Sequence, residues 1–418
     1  MKTLMIVTGE SSGELYGYLL ARELKKRYPG VHIVGIGGEK MKNAGVELIS
    51  GISSAFGISE LFSSLKEINL ALNKTRKAIK ELMPDLIVLI DFPDFNIRVA
   101  SFAKAKNIKI LYYVSPQVWA WRKGRVKKIA SLVDRMAVIL PFEEEIYKRA
   151  GVRCEFVGHP ILEEIEDILK SQIDGHLPSK RPILKSPVTG NLYSKPLLAN
   201  LDPRFRTYFK GILGFDLTRP LLSLLPGSRH HELERHLPLM IDVIKTFKND
   251  PEINSVRGFQ FCIPLSLNIT ETRYSKYLDE LRKEGAIIKK GETIQVLAAS
   301  DMAVITSGTA TLQAAFLEVP MVVIYKLSPI SYFFGKMLID LKYICLVNIL
   351  SGEETVPELL QQNANAKDII KGLKEIIFDE GYREKMINQF KKIKGLFFGF
   401  NASKRVCEII GEMTGWEQ

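Results

Sequence analysis

The chain has 418 residues with 46% hydrophobic and 25% charged side chains, an ordinary globular composition that excludes a mostly disordered protein and predicts two or three domains. Its longest apolar runs, such as residues 86–90, are strand-sized, far short of the ~20 residues that cross a bilayer. The formal net charge is +11, but residues 170–210 alone hold eight basic against two acidic side chains, so basicity is too localised to favour a nucleic-acid partner.

In chain order, residues 3–8 predict a first strand. The run Leu4-Met5-Ile6-Val7 is too short for a signal peptide, so a cytoplasmic chain is expected. The strand leads into Gly9-Glu10-Ser11-Ser12-Gly13-Glu14 and a helix over 14–28. Glycines at such a turn let a ligand approach the helix N-terminus, which favours anions; the alternative is a tight turn with Ser11 or Ser12 as cap. No Gly-x-Gly-x-x-Gly or Walker spacing occurs, so dinucleotide or ATP binding is poorly supported. A second strand follows at 31–36. Residues 56–72 then place Phe56, Ile58, Leu61, Phe62, Leu65, Ile68 and Leu72 at helical spacing, as a core stripe or as a membrane- or acyl-facing surface.

A third strand at 85–90 ends in Asp91-Phe92-Pro93-Asp94-Phe95-Asn96, with a helix from Asn96 to Lys106. Asp94 suits the cap, leaving Asp91 as a candidate general base. The strand at 108–114 runs into Ser115-Pro116-Gln117-Val118-Trp119-Ala120-Trp121-Arg122, with Arg125 close behind. Two tryptophans beside five cations in seven residues suit anionic headgroups, a phosphorylated ligand or stacked bases, or form a half-buried helix with a solvated basic face. A strand at 134–140 completes a first half whose apolar strands alternate with helices, the pattern of a parallel sheet covered on both faces.

After the basic, proline-rich stretch the pattern restarts, with strands at 220–225, 258–263, 301–306 and 320–325 and helices at 231–248, 270–284 and 308–318. Pro226-Gly227-Ser228-Arg229 and Ser307-Gly308-Thr309 both follow strands and open helices. Together they suggest a diphosphate held by helix termini and one arginine. His230, His231 and His236 do not form a convincing metal shell and are read as a solvated helix. Cys154, Cys262, Cys345 and Cys407 are far apart, predicting neither a disulfide framework nor a zinc site. The last fifty residues read as helical, with Phe390, Ile393, Leu396 and Phe397 on one face. The expected fold class is α/β: two parallel-sheet domains at 1–168 and 216–380, a basic linker at 169–215, and a helical segment at 381–418 packing back on the first domain. Ligands in such sheets bind beyond the C-terminal strand ends, which can face each other across a cleft.

Taken in order, GESSGELYG from Gly9, GIGGEKMKNAGVE from Gly35, IDFPDFN from Ile90, YVSPQVWAWRKGRVKKI from Tyr113, LPFEEEIY from Leu140, FVGHP from Phe156, LLPGSRHHE from Leu224, SGTATLQ from Ser307 and PMVVIYK from Pro320 resemble the lipid-A-disaccharide synthase family. The resemblance spans nearly the whole chain except about 171–210. It implies an inverting glycosyltransferase of GT-B architecture, with two facing Rossmann-like domains. Such enzymes transfer 2,3-diacylglucosamine from UDP-2,3-diacylglucosamine to the 6-hydroxyl of 2,3-diacylglucosamine 1-phosphate, at the cytoplasmic face of the inner membrane of a Gram-negative type of cell. No cofactor and no metal are implied, an anionic membrane surface is, and a homodimer is compatible with it. By matching position the resemblance makes Asp91 the catalytic carboxylate, with Glu10 as second candidate. Arg229, Ser307, Gly308, Thr309, Gln313, Asn348, Ser11 and Gly13 become substrate contacts. Gln313 stands where the family usually has a glutamate, and Val347 where it usually has a proline. Phe56, Ile58, Leu61, Phe62, Leu65, Trp119, Trp121, Arg122 and Arg125 become acyl or membrane contacts. Competing readings are another GT-B enzyme acting on UDP-N-acetylglucosamine, either a cell-wall glycosyltransferase or a 2-epimerase, and a non-catalytic adaptor on this fold.

Overall fold

The computed structural model describes residues 2–51, 63–117, 124–175, 198, 203–255, 258–326 and 342–416. They divide into two compact units. Residues 2–160 with 397–416 form the first, and 161–326 with 342–396 form the second.

In the first unit, β1 (Thr3–Val7), β2 (His32–Gly37), β3 (Glu47–Gly51), β4 (Leu86–Ile90), β5 (Lys109–Tyr113), β6 (Arg135–Val138) and β7 (Cys154–Phe156) form one sheet in the order β3-β2-β1-β4-β5-β6-β7. Every pairing is parallel. The helices α1 (Ser11–Arg27), α2 (Glu39–Asn43), α3 (Ser63–Leu82), α4 (Pro93–Lys104), α5 (Gly124–Ala130) and α6 (Glu143–Arg149) supply the connections. Parallel strands need such crossovers, and crossovers bury both sheet faces. Hence all five residues of β1 and of β4 are buried. Gly35 in β2 is required by close approach, since a Cβ there would lie 1.9 Å from the Ile6 carbonyl oxygen.

The second unit comprises α7 (Ile161–Gly175), α8 (Pro203–Leu213), β8 (Leu221–Leu225), α9 (His230–Asn249), β9 (Gln260–Leu265), α10 (Ser275–Lys283), β10 (Ala286–Lys290), α11 (Thr293–Ala299), β11 (Met302–Thr306), α12 (Thr309–Phe316), β12 (Met321–Tyr325), α13 (Leu346–Ser351), β13 (Glu358–Leu360), α14 (Ala366–Phe378) and α15 (Glu380–Gly395). Its sheet, also parallel, has the order β10-β9-β8-β11-β12-β13. The chain then returns to the first unit with α16 (Ala402–Thr414), which packs on α1.

Several expected boundaries move. The first unit ends at Pro160 rather than 168, and α7 belongs to the second. Of the expected C-terminal segment, residues up to Leu396 also belong to the second unit, and only those from Phe397 onward join the first. Leu396 is 44% exposed, unlike its buried neighbours Phe390, Ile393 and Phe397. The region read as linker ends in a true helix: α8 packs on α11, with Phe209 fully buried. Two of its cations are structural. Lys210 is buried and bonds Asp301 at 2.7 Å, and Arg206 reaches the Glu318 carbonyl at 3.3 Å. The helix after β4 starts at Pro93 rather than Asn96, proline being pre-organised for a first turn.

Candidate functional site

In each sheet the strand order reverses once, and ligand crevices of open α/β sheets lie at that reversal. In the first unit it falls between β1 and β4, which run side by side with Val7 opposite Leu89. Glu10 follows β1 and Asp91 follows β4. Their loops interlock, because Gly9 leaves room for Phe92: a Cβ there would sit 2.2 Å from the Phe92 ring. Glu10 holds the N-cap position of α1 without a side-chain cap bond, one residue before the serines expected to cap it. Ser11 opens α1. Gly13 is buried against Thr8 and Ile90 and serves helix–sheet packing.

Asp91 and Phe92 both have φ of +46°, a left-handed conformation that non-glycine residues adopt at a cost of order 1 kcal/mol or more. The surroundings enforce it. Tyr112 donates its hydroxyl to the Asp91 carbonyl at 2.6 Å, Asn96 donates Nδ2 to the same oxygen at 2.7 Å, and the Asp91 N–H donates to Val114 at 3.1 Å. Burial raises the Tyr112 pKa well above its ordinary value, and the Asp91 charge adds to the shift. Asp94, expected to cap α4, instead pairs with Arg125 at 2.6 Å. Arg125 is thereby tied to α4. Trp119, Trp121, Arg122, Phe56, Ile58, Leu61 and Phe62 lie outside the described residues, as does the Leu65 side chain. Farther along the same stripe Leu72 is buried and Ile68 packs on the core.

A buried polar cluster, unnoticed in the sequence, adjoins this site. Ser115 Oγ lies 3.1 Å from Glu143 Oε1 and 3.0 Å from the Tyr147 hydroxyl, and Glu143 accepts from the Leu140 N–H at 3.2 Å. Burial raises the Tyr147 pKa, opposed by the Ser115 hydrogen bond and reinforced by the charges of Glu143 and Asp91.

In the second unit the strand order reverses between β8 and β11. Arg229 follows β8, and Ser307-Gly308-Thr309 follows β11. Gly308 has φ of +157°, no side chain caps α12, and a Cβ added at Gly308 would meet nothing within 4 Å. The Thr311 N–H turns back to the Gly308 carbonyl at 3.1 Å, and a helix N-terminus of this kind favours an anion. The Gly227-Ser228 turn behaves differently from expectation. Glu232 is buried and accepts from the Ser228 N–H at 2.9 Å and the Arg229 N–H at 3.1 Å, so those donors already serve a carboxylate. The Arg229 guanidinium at this turn is half-exposed and lies 3.6 Å from Glu232.

His236, read as part of a solvated helix, is fully buried. Its Nδ1 lies 2.9 Å from the Pro226 carbonyl oxygen and 3.1 Å from Thr306 Oγ1, and its Nε2 accepts from the Lys326 N–H at 3.3 Å. The signal available beforehand was its register: it shares the apolar stripe of Leu233, Leu237 and Met240. Asn348 is buried, and its side chain is spent on the chain around it. It donates to Val356 O at 2.9 Å and Glu358 Oε1 at 2.8 Å and accepts from the N–H groups of Thr355 and Val356. Gln313 donates to Glu164 of α7 at 3.2 Å.

A family model described as lipid-A-disaccharide synthetase matches residues 4–184 and 198–405. The lipid-A-disaccharide synthase of Syntrophus aciditrophicus is 39% identical over 370 residues, covering 88% of this chain and 86% of that protein. That of Nitrosococcus oceani is 38% identical over 415 residues, covering 99% and 96%. Among solved structures, the UDP-GlcNAc 2-epimerase of Neisseria meningitidis bound to UDP-GlcNAc superposes with a TM-score of 0.62 at 13% identity, covering 99% of this chain and all of that one. A glycosyltransferase from Rickettsia africae gives 0.54 at 13% identity, covering 98% of each. These two share the fold, the two-domain α/β arrangement of GT-B proteins. With its family model over nearly the whole length and relatives at 38–39% identity, the chain belongs to the lipid-A-disaccharide synthases, a family of glycosyltransferases.

Proposed function

We propose that the protein transfers 2,3-diacylglucosamine from its UDP derivative to the 6-hydroxyl of 2,3-diacylglucosamine 1-phosphate, with inversion, as a peripheral protein on the cytoplasmic face of the inner membrane. In this reading the acceptor O6 attacks C1 of the donor sugar, its proton passes to the Asp91 carboxylate, and the C1–O bond breaks to release UDP. Inversion follows from a single displacement. Arg229 and the N-terminus of α12 stabilise the charge gathering on the departing diphosphate. Asn348 acts at one remove, by holding residues 355–358 in place. The observation that carries this reading is the backbone of Asp91: a left-handed acidic residue at a strand reversal, its main-chain carbonyl held by Tyr112 and Asn96, is strain kept where chemistry is done. No helix among the described residues is long and apolar enough to cross a membrane, which is compatible with peripheral attachment.

The test is UDP release in detergent with the acylated donor and acceptor, against UDP-N-acetylglucosamine as control. A disaccharide 1-phosphate formed only from the acylated donor is expected, and turnover of the unacylated donor alone refutes the acyl specificity. Asp91→Asn should lower kcat roughly 10²- to 10⁴-fold, the usual worth of a general base. Glu10 sits on the neighbouring loop and provides a second reading of the base. A larger fall in kcat for Glu10→Gln than for Asp91→Asn would transfer the role.

A further inference from the structure

We propose that His236 is the positioning residue of the nucleotide site, locking the chain after β8, β11 and β12 into the one arrangement in which Arg229 and the N-terminus of α12 can grip the same diphosphate. The proposal rests on the reading of the second unit as the UDP-binding unit and adds to it a residue that touches no ligand.

The polar bonds of the imidazole all go to the C-terminal ends of strands or to the residue just beyond them. Pro226 directly follows β8, Thr306 ends β11, and Lys326 directly follows β12. Thr306 extends the tie by donating its hydroxyl to the Leu225 carbonyl at 3.0 Å, so β8 and β11 are cross-linked both through the ring and beside it. The donors settle the tautomer. Carbonyl and hydroxyl oxygens face Nδ1, which carries the proton, and a backbone N–H faces Nε2, which accepts. The ring is thus neutral, in keeping with the lowering of its pKa by burial against the opposing influence of the Pro226 bond and Glu232.

Packing alone does not call for a histidine here. Its neighbours on the buried face of α9, Leu233, Leu237 and Met240, are apolar and fully buried, and a leucine would continue the stripe. What leucine lacks is one donor and one acceptor a ring's width apart. The donor alone faces both Pro226 and Thr306 and so sets the spacing between the Arg229 turn and the Ser307–Thr309 turn, while the acceptor ties in the chain after β12. Arg229 lies three residues beyond Pro226, and Thr309 three beyond Thr306, so a slip at either anchor carries directly to the gripping groups.

The test measures UDP affinity by calorimetry, and donor and acceptor KM with kcat, for the intact protein and for His236→Leu, His236→Asn and His236→Gln. His236→Asn retains a donor toward Pro226, and His236→Gln can reach Lys326 as an acceptor. Ser300→Ala serves as control: it removes a buried hydroxyl bonded to Val296 at 2.6 Å, at the end of β11 away from the anion turn. We expect His236→Leu to weaken UDP binding and raise donor KM about tenfold, with acceptor KM unchanged and partial recovery in at least one amide variant. UDP affinity within twofold of wild type in His236→Leu would overturn the proposal. So would a loss matched by Ser300→Ala at equal thermal stability. If the leucine variant does not fold, the amide variants decide: both binding UDP as wild type does overturns it. Wild-type protein that binds no UDP removes the underlying nucleotide reading instead, a result distinct from the others.

Discussion

Gln313 projects from the second turn of α12 and donates its Nε2 hydrogen to Glu164 of α7 at 3.2 Å. The family resemblance implies a glutamate at this position, and its return would place two carboxylates within about one hydrogen-bond length. Like charges so close raise one another's pKa and oppose ionisation of both. Gln313→Glu should therefore destabilise the protein by ~1 kcal/mol at neutral pH and leave UDP binding no tighter. Gln313→Glu combined with Glu164→Gln should recover the lost stability and, if a carboxylate here serves the ribose, bind UDP more tightly than wild type. Thermal melts with a nucleotide titration read both. Tighter UDP binding by Gln313→Glu alone would show that Glu164 does not restrain the site. The arrangement also shows how far residue types at strand ends can be read. Asp91, Glu10, Arg229 and Gly308 stand out in the sequence because they follow apolar runs. Glu164, Glu232, Glu143 and His236 do not, since each acts by meeting a group distant in the chain or fixed by backbone geometry.

At the scale of elements, β3, β7, β10 and β13 were not anticipated, and all four are the edges of their sheets. A central strand of a parallel sheet is buried on both faces and reads as an unbroken apolar run. An edge strand carries polar residues, as in Glu47–Gly51 and Ala286–Lys290, and escapes that rule. The edge at β7 has a further duty. Glu155 accepts from Arg135 at 2.9 Å and from Arg405 Nη2 of α16 at 2.9 Å, while Glu412 of the same helix pairs with Arg135 and with Arg405 at 3.0 Å. These bonds hold α16 against the first sheet. The Arg405 hydrogen bond above all, opposed by burial, lowers the Glu155 pKa from its ordinary 4.5, and Arg135 lowers that of Glu412. A carboxylate whose pKa is lower in the folded state stabilises the fold fully above the unfolded value. That contribution fades as pH falls from 4.5 through the folded value. Protection of the α16 amides in hydrogen exchange should then be flat from neutral pH to about 5 and fall below it. Glu155→Gln should cost about 2 kcal/mol at neutral pH, because Arg135 is buried and loses a charged partner, and should shrink the acid-dependent part. An unchanged acid profile in that variant would assign the dependence to other groups.

At the scale of the whole molecule, each unit has its own parallel sheet, its own core and its own reversal of strand order, and the candidate chemistry divides between them. The first unit offers carboxylates, Glu10 and Asp91. The second offers a cation and a helix N-terminus, Arg229 and Ser307–Thr309. In the proposed mechanism a base and a leaving-group site are thus encoded separately, each by the same structural rule. A ligand that occupies one site should stabilise one unit. By linkage, UDP at a hundred times its dissociation constant adds about 2.7 kcal/mol to whatever must unfold to release it. Hydrogen exchange with saturating UDP should therefore slow the amides of 226–232, 307–313 and 345–358 and the core strands β8, β11 and β12. Those of β1, β4 and α16 should exchange as before. Arg229→Ala should abolish most of that protection without altering exchange in the first unit. Equal protection of both units by UDP alone would mean that the nucleotide is held by groups of both, and the division of roles drawn from the strand ends would have to be abandoned.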